Sequence, residues 1–386
     1  MSKRSPLKFI VVLGLVSLFC DFTHEGARSI TGPFLAVLGA SGTIVGIVSG
    51  FGELVGYVLR LATGYLSDKT GKYWTFMAVG YVLNVAAVPL LALAGSWELA
   101  AFLMIAERTG RAIRHPARDT ILSGAAKEIG VGWGFGLHEA MDSTGALLGP
   151  LAVAAVLYFN GSYRTAFFAL LVPAILTLSF FLLARRTYPN PHGEELHSVK
   201  SQTDGFPNVF WLYIAAVCSI GMGYADFPLI AYHFKKMSIV EPDWIPIFYA
   251  AAMGMSALAA VAFGRLYDRS GLSVLIVSAL LSSLFAPLAF WGGTGRALVG
   301  MILWGIGMGA QESIMRSAIV SMVPARRLGF AYGVLNSSYG VFWFLGSSIM
   351  GMLYDKSIGY LIIFSVTSQL VSIPILVLTK RRLRSV

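Results

Sequence analysis

Charge is scarce in this chain of 386 residues, because Asp, Glu, Lys and Arg together make up only 12% of it. Cysteine is rarer still: the two that occur, Cys20 and Cys218, lack the spacing of metal ligands and are not expected to form a disulfide. The sequence also lacks a Gly-rich phosphate loop and a hydrolytic triad, which argues against ATP-driven pumping and enzymatic catalysis. We therefore expect no cofactor, no metal and no nucleic-acid partner, although the net charge is +10.

Apolar sequence, by contrast, is abundant. Hydrophobic residues make up 56% of the chain, and its mean hydropathy is +0.72. Because a hydrocarbon core about 30 Å thick is crossed by about 20 helical residues, the chain has room for twelve spans and little else. The pattern predicts an all-α membrane protein with spans at residues 8–38, 42–67, 73–95, 97–126, 131–159, 163–184, 207–235, 243–267, 272–292, 296–323, 327–354 and 358–379.

Basic residues are distributed unevenly between the two ends of these spans. With both termini inside, the cytoplasmic ends and loops collect most of the lysines and arginines outside the spans, including Arg185, Arg326 and Arg381. This asymmetry follows the positive-inside rule. The sequence therefore predicts a multi-pass protein of the plasma (inner) membrane with both termini in the cytoplasm.

An internal repeat divides the chain in half. The segment GYLSDKTG at Gly64–Gly71 recurs 200 residues later as GRLYDRSG at Gly264–Gly271, and Asp21 of span 1 returns as Asp226 of span 7. Parallel repeats are a transporter architecture, with the site at the interface of the halves near mid-membrane. The predicted organisation is an N-terminal six-helix bundle at residues 1–184, a cytoplasmic linker at 185–206 and a C-terminal six-helix bundle at 207–386.

The loop between spans 2 and 3 carries a specific motif, which has a degenerate second copy at Gly264–Gly271. On this motif the whole chain resembles a member of the major facilitator superfamily. The matching residues are Gly64, Leu66, Asp68, Lys69, Gly71 and Lys72. A weaker match in span 5, at Gly145, Gly149 and Pro150, resembles the glycine and proline motif associated with antiporters of that family. The resemblance implies twelve transmembrane helices in two pseudo-symmetric six-helix bundles that work by alternating access, and the span 5 motif implies export.

The most unusual segment, Glu107–Asp119, reads ERTGRAIRHPARD and falls within predicted span 4. Ionisable groups at membrane depth are costly and persist mainly where they face a bundle interior or a water-filled cavity. In the family the fourth span lines the central cavity, so the resemblance implies that part of this face meets substrate. For Arg108, Arg111 and Arg114, which lie deepest, the sequence leaves open whether they bind substrate or pair internally.

Arg118 and Asp119 lie near the cytoplasmic end of span 4, level with the loop between spans 2 and 3. We predict a conformational latch there, since interior ion pairs commonly fix geometry. Its members would be Gly64, Asp68, Lys69, Gly71, Lys72, Arg118 and Asp119.

Several carboxylates of the first half are candidates for proton binding. In a low-dielectric site, desolvation and a neighbouring arginine act on a carboxyl group in opposite directions, so such a group can titrate near neutral pH. Arg28 and Arg111 are the expected switching partners. The predicted proton-coupling residues are Asp21, Glu25, Glu139 and Asp142. The predicted substrate-binding residues are Arg28, Arg108, Arg111, Arg114, His138, Asp226, Gln311, Glu312 and Tyr339.

The leading hypothesis is a monomeric secondary carrier in the lipid bilayer that exports a small organic solute in exchange for protons. An alternative keeps the fold but assigns proton-coupled uptake or exchange of an anionic metabolite, held by the arginines of span 4. Divalent metal transport is a less favoured hypothesis, based on the pairs His24 with Glu25 and His138 with Glu139. The other less favoured hypothesis is a receptor that keeps this fold but does not transport a solute.

Overall fold

A computed structural model of the chain describes residues 6–127, 129–188, 206–320, 322–324 and 327–384, and within these ranges it contains helices and no strand. The predicted all-α class is confirmed. A short 3-10 helix, Leu91–Leu93, extends the third α-helix. The α-helices are α1 (Pro6–Val37), α2 (Gly42–Thr70), α3 (Tyr73–Leu90), α4 (Trp97–Ala126), α5 (Val131–Asn160), α6 (Tyr163–Ala169), α7 (Leu171–Thr187), α8 (Asn208–Gly223), α9 (Phe227–Lys236), α10 (Trp244–Ser270), α11 (Ser273–Ser283), α12 (Phe285–Phe290), α13 (Thr294–Val320), α14 (Leu328–Lys356) and α15 (Ile358–Arg384).

These helices account for the twelve predicted spans. Spans 6, 7 and 9 each consist of two consecutive helices, namely α6 with α7, α8 with α9, and α11 with α12. In the described part of the chain, ten spans are long and apolar enough to cross a membrane. The two that complete the set are α4, which carries the charged segment, and α14.

The charged segment Glu107–Asp119 lies inside one continuous helix. The 30 residues of α4, at a rise of 1.5 Å each, give a length of about 45 Å, which is enough to cross a bilayer. Ser96 caps the start of this helix by accepting a hydrogen bond from the backbone N–H of Leu99 at 3.4 Å. Glu98 lies in the first turn, where negative charge suits the helix dipole. The prediction of a fourth span across this segment is confirmed.

By proximity of their Cα atoms, the residues fall into two compact units. Unit 1 comprises Met1–Phe34, Val55–His197 and Pro242–Ala250, and unit 2 comprises Leu35–Leu54, Ser198–Glu241 and Ala251–Val386. The predicted linker at residues 185–206 lies mostly outside the described residues, and the predicted domain boundaries stay a prediction.

In unit 1, α3 and α4 touch through small residues. A β-carbon added at Gly80 would lie 2.7 Å from the backbone nitrogen of Arg114 and from the backbone oxygen of Gly110, so the two helices are in backbone contact. Small residues allow such close approach between membrane helices. This contact brings Asn84 and Tyr81 of α3 next to the charged face of α4.

Candidate functional site

Ionisable side chains of α1 meet those of α4 within unit 1. On each helix most of them recur at spacings of three or four residues, which places them on one face. Each of these side chains is at most 18% exposed. We call this set the α1–α4 cluster, and its members are Asp21, His24, Glu25, Arg28, Glu107, Arg108, Arg111 and Arg114.

His24 occupies the centre of this cluster. Its Nδ1 atom lies 2.7 Å from Oε1 of Glu107. Its Nε2 atom lies 2.6 Å from Nη1 of Arg111 and 3.3 Å from Nη1 of Arg108. Oε1 of Glu25 is 3.6 Å from the same Nε2. One imidazole therefore contacts both carboxylates and guanidinium groups.

Glu107 is held on its other side by α3. The side-chain amide of Asn84 donates to Oε1 of Glu107 and, at 3.1 Å, to the backbone oxygen of the same residue. The carbonyl of Asn84 accepts a hydrogen bond from the thiol of Cys20 at 2.8 Å. Nε of Arg108 lies 3.6 Å from Oε2 of Glu107. The position of this buried carboxylate is thus fixed from three helices.

Arg111 lies between the two carboxylates of α1. Its Nη2 is 4.0 Å from Oδ2 of Asp21 and its Nη1 is 3.9 Å from Oε1 of Glu25. Glu25 also accepts a hydrogen bond from the hydroxyl of Tyr249 at 2.5 Å and has Nη1 of Arg28 at 3.9 Å. The structure therefore brings Arg28 to Glu25, and Arg111 to Asp21 and Glu25, which are two of the four predicted proton-coupling carboxylates.

Arg114 differs from the other two deep arginines in being fully buried. Its Nη2 lies 3.4 Å from Oδ1 of Asp21, and its guanidinium carbon is 4.8 Å from the centre of the Tyr81 ring. Its Nε and Nη1 have no hydrogen-bond partner among the described residues. By comparison, the side chains of Arg108 and Arg111 are 12% and 18% exposed. Arg108 and Arg111 are therefore less enclosed than Arg114.

A second group of polar side chains surrounds Arg118. Its Nη2 lies 2.9 Å from Oδ1 of Asp119, and its Nη1 lies 3.4 Å from the Ser17 hydroxyl and 4.0 Å from Oδ1 of Asp142. The Ser17 hydroxyl is also 2.8 Å from Nε2 of His138. The structure thus brings Asp142 and His138 to Arg118, whereas Glu139 is exposed on α5.

The motif loop between α2 and α3 makes local contacts. The Tyr73 hydroxyl donates to Oδ1 of Asp68 at 3.3 Å, and Nζ of Lys69 lies 5.8 Å from the centre of the Tyr65 ring. Gly71 follows α2 with φ of +65°, a left-handed backbone that glycine adopts without strain. The predicted latch between this loop and span 4 stays a prediction.

The candidates of the second half do not gather into one charged cluster. Asp226 starts α9, because its Oδ1 accepts a hydrogen bond from the backbone N–H of Phe227 at 2.9 Å. Tyr339 donates to Oε1 of Gln311 at 2.7 Å, and both side chains are buried. Glu312 is exposed on α13. The structure therefore gives Asp226 a helix-capping contact, and places Gln311 with Tyr339.

The α1–α4 cluster has unequal numbers of the two charges. Its arginines are Arg28, Arg108, Arg111 and Arg114, and its carboxylates are Asp21, Glu25 and Glu107. With a neutral imidazole, four positive and three negative groups leave one positive charge. Among the described residues there is no group of three or more His, Cys, Asp and Glu side chains that could hold a metal ion. With these charge states the cluster is therefore net positive.

Four residues of this site were not among the predicted proton-coupling or substrate-binding residues: His24, Asn84, Glu107 and Tyr249. Glu107 lies four residues before Arg111 on the same helix, and His24 lies three after Asp21, so helical spacing could have identified both. Tyr249 comes from α10, far along the chain, and Asn84 is one polar residue in an apolar helix. No local pattern singles out those two.

Twelve membrane helices, an internal repeat and an enclosed cluster of ionisable side chains define a multi-pass membrane transport protein. Residues 16–347 match the sequence profile of the Major Facilitator Superfamily, and the chain belongs to this family. The resemblance inferred from the motif loop is confirmed.

Relatives and solved structures agree with this assignment. An uncharacterized protein of Mycobacterium tuberculosis is 39% identical over 96% of this chain and 92% of that protein. The fosmidomycin resistance protein of Escherichia coli is 23% identical and is matched over 81% of this chain and 78% of its own length. A crystal structure of a bacterial homolog of the human lysosomal transporter Spinster has a TM-score of 0.80, with 15% identity, 99% coverage of this chain and 98% of that chain. This last similarity shows the fold.

Proposed function

We propose that this chain is a proton-coupled secondary carrier that exports a small organic solute in exchange for protons by alternating access. The observation that carries the proposal is the α1–α4 cluster, in which three carboxylates and four arginines lie enclosed within unit 1. Ionisable groups at membrane depth are costly and mark substrate paths and proton relays. The Escherichia coli relative is named for drug resistance, which supports export. We expect a monomer in the plasma membrane with both termini in the cytoplasm.

The contacts of Arg111 give proton binding a way to change the site. Arg111 faces Asp21 and Glu25 at 4.0 and 3.9 Å. A proton taken up by either carboxyl group removes the negative charge that this arginine faces. Arg111 is then attracted more strongly to the other carboxylate, or to a solute, than to the neutral carboxyl group. If the two conformations of the carrier differ in these contacts, proton binding shifts the balance between them.

Transport in proteoliposomes tests the coupling. A thermal-shift screen on the purified protein first identifies a solute, because a ligand that binds the folded state stabilises it. Wild-type protein should then move that solute in response to an imposed pH gradient. In Asp21→Asn and Glu25→Gln the response should fall about tenfold or more, since the amide side chain cannot take up or release a proton.

Glu98→Gln is the matched control, because Glu98 is an exposed carboxylate in the first turn of α4. It should respond to the gradient as the wild type does. Transport by the wild type that ignores the pH gradient, or that is unaltered in both cluster variants, would remove the coupling from the proposal.

The positive charge of the cluster favours a second candidate, proton-coupled uptake or exchange of an anionic metabolite. Arg108 and Arg111 are the partly exposed arginines that would hold its acidic group. In the same assay, competition by organic anions that is lost in Arg111→Gln would select this candidate. Preference for lipophilic cations would exclude it.

A further inference from the structure

The hydrogen bonds of His24 fix which of its nitrogens carries the proton. A guanidinium group donates hydrogen bonds and cannot accept them. Nε2 of His24 lies 2.6 Å from Nη1 of Arg111, so Nε2 must be the acceptor. A neutral imidazole that accepts at Nε2 carries its proton on Nδ1. That N–H then donates to Oε1 of Glu107, which is 2.7 Å away.

The carboxylate of Glu107 completes this assignment. Its Oε1 also receives the side-chain N–H of Asn84, and its Oε2 lies 3.6 Å from Nε of Arg108. The neighbours of Oε1 are donors, so Oε1 of Glu107 is a hydrogen-bond acceptor. Each hydrogen bond in this series therefore has a defined donor: Asn84 and Nδ1 of His24 donate to Glu107, and Arg111 donates to Nε2 of His24.

We propose that His24 is a further proton-accepting group of this carrier, beside the carboxylates of α1, and that Arg111 and a proton compete for its Nε2 atom. In the arrangement seen here the lone pair of Nε2 is occupied by Arg111. A proton that binds Nε2 converts it from an acceptor into a donor and makes the ring a cation. Arg111 must then leave, because two donors of like charge cannot share a contact of this length.

The surrounding groups provide the new partners. Oε1 of Glu25 lies 3.6 Å from Nε2 and becomes the acceptor of the new N–H. The released Arg111 has Oδ2 of Asp21 at 4.0 Å. A proton on His24 therefore moves Arg111 from His24 to Asp21 and moves Glu25 from Arg111 to His24. The charged or titratable groups that face His24 are Asp21 and Glu25 on α1 and Glu107, Arg108 and Arg111 on α4, with Tyr249 of α10 behind Glu25.

This inference rests on the proton coupling of the proposed function and adds a group that would contribute to it. Nitrogen-15 NMR of the full chain, labelled at histidine and held in nanodiscs of phosphatidylcholine and phosphatidylglycerol, tests it with protons as the probe. The His24 signals are those lost in His24→Gln. At pH 8 the wild type should show Nδ1 protonated and Nε2 unprotonated. A wild type with Nε2 protonated and Nδ1 unprotonated at pH 8 would by itself overturn the proposal.

Two variants distinguish competition for Nε2 of His24 from the general effect of a nearby positive charge. Arg111→Gln removes the competitor, and we expect the midpoint of the His24 titration to rise by about one pH unit or more. Arg28→Gln removes the same charge from the cluster, at a residue that pairs with Glu25, and should shift the midpoint by less than half as much. Equal shifts in the two variants, or none in Arg111→Gln, would overturn the competition.

The proposed function fails in a different way. Its failure appears as wild-type proteoliposomes that ignore a pH gradient, whatever the tautomer of His24. If instead the wild type is coupled and His24→Gln retains the full response, the proposal for His24 is wrong and the proposed function stands. Loss of the response in His24→Gln, with binding of the screened solute retained, supports both.

Discussion

At the scale of the residue, a few hydrogen bonds decide how the buried charges are arranged. Asn84 is the clearest case, because its amide donates twice to Glu107 and its carbonyl accepts from the thiol of Cys20. It is 1% exposed, so removing the side chain takes a hydrogen-bond partner from buried polar groups. A single neutral residue of α3 thus positions the carboxylate that orients His24.

We predict that Asn84→Ala destabilises the protein by about 1–3 kcal/mol, the usual range for leaving a buried polar partner unsatisfied. Unfolding in detergent, followed by circular dichroism, measures the loss. Cys20→Ser keeps a donor toward the same carbonyl and should cost less. An Asn84→Ala protein as stable as the wild type would show that Glu107 finds another partner.

The sequence predicted part of this residue-scale arrangement. It identified Asp21, Glu25, Arg28 and Arg111 as interacting groups, because their spacing on two helices and the cost of burying charge both point inward. It did not predict the central role of His24. A histidine between two helices has its role determined by which atoms face each nitrogen, and helical spacing does not specify that.

At the scale of the element, glycines determine how closely helices approach. A β-carbon at Gly145 of α5 would collide with the backbone oxygen of Leu18 on α1, and one at Gly149 with that of Phe22. These are the glycines whose pattern resembles the antiporter motif. In the structure they let α5 pack directly against the part of α1 that carries Asp21, so the motif has a packing role here.

Gly145→Ala should destabilise the protein by about 1–3 kcal/mol, because overpacking forces the two backbones apart. Gly136 is the control on the same helix, since a β-carbon there meets nothing within 4 Å. Gly136→Ala should be neutral or stabilising, by up to about 1 kcal/mol, through helix propensity. Thermal unfolding of both variants gives the comparison. Equal effects would mean that the α1–α5 contact tolerates a methyl group.

The membrane-spanning helices were predicted more completely than the contacts of single residues. The repeat predicted α4 as a span although its composition is too charged for a hydropathy criterion, and α4 is continuous from Trp97 to Ala126. The interruptions within spans 6, 7 and 9 were not predicted. The Asp226 cap and Pro228 at the start of α9 are local signals that explain the second of these interruptions.

At the scale of the whole molecule, segments of the two sequence halves lie in the same compact unit. Residues 35–54, from the first half, belong to unit 2 with α14. There Asp355 accepts hydrogen bonds from the backbone N–H groups of Gly42 and Thr43 at 2.9 and 2.7 Å, and from the Thr43 hydroxyl at 2.7 Å. A carboxylate at the end of α14 thus caps the start of α2. Both ends lie on the outer side in the predicted orientation.

Asp355→Ala removes the carboxylate, and we expect backbone hydrogen exchange at Gly42 and Thr43 to become about tenfold faster, because hydrogen bonds to charged groups contribute about 1.5–3 kcal/mol. Mass spectrometry of peptides from residues 35–54 measures this exchange. Lys356→Ala, at the exposed neighbouring position, should leave it unchanged. Unaltered exchange in Asp355→Ala would mean that the start of α2 is held by its packing on α14, where Gly46 approaches the backbone of Gly351, and not by the cap.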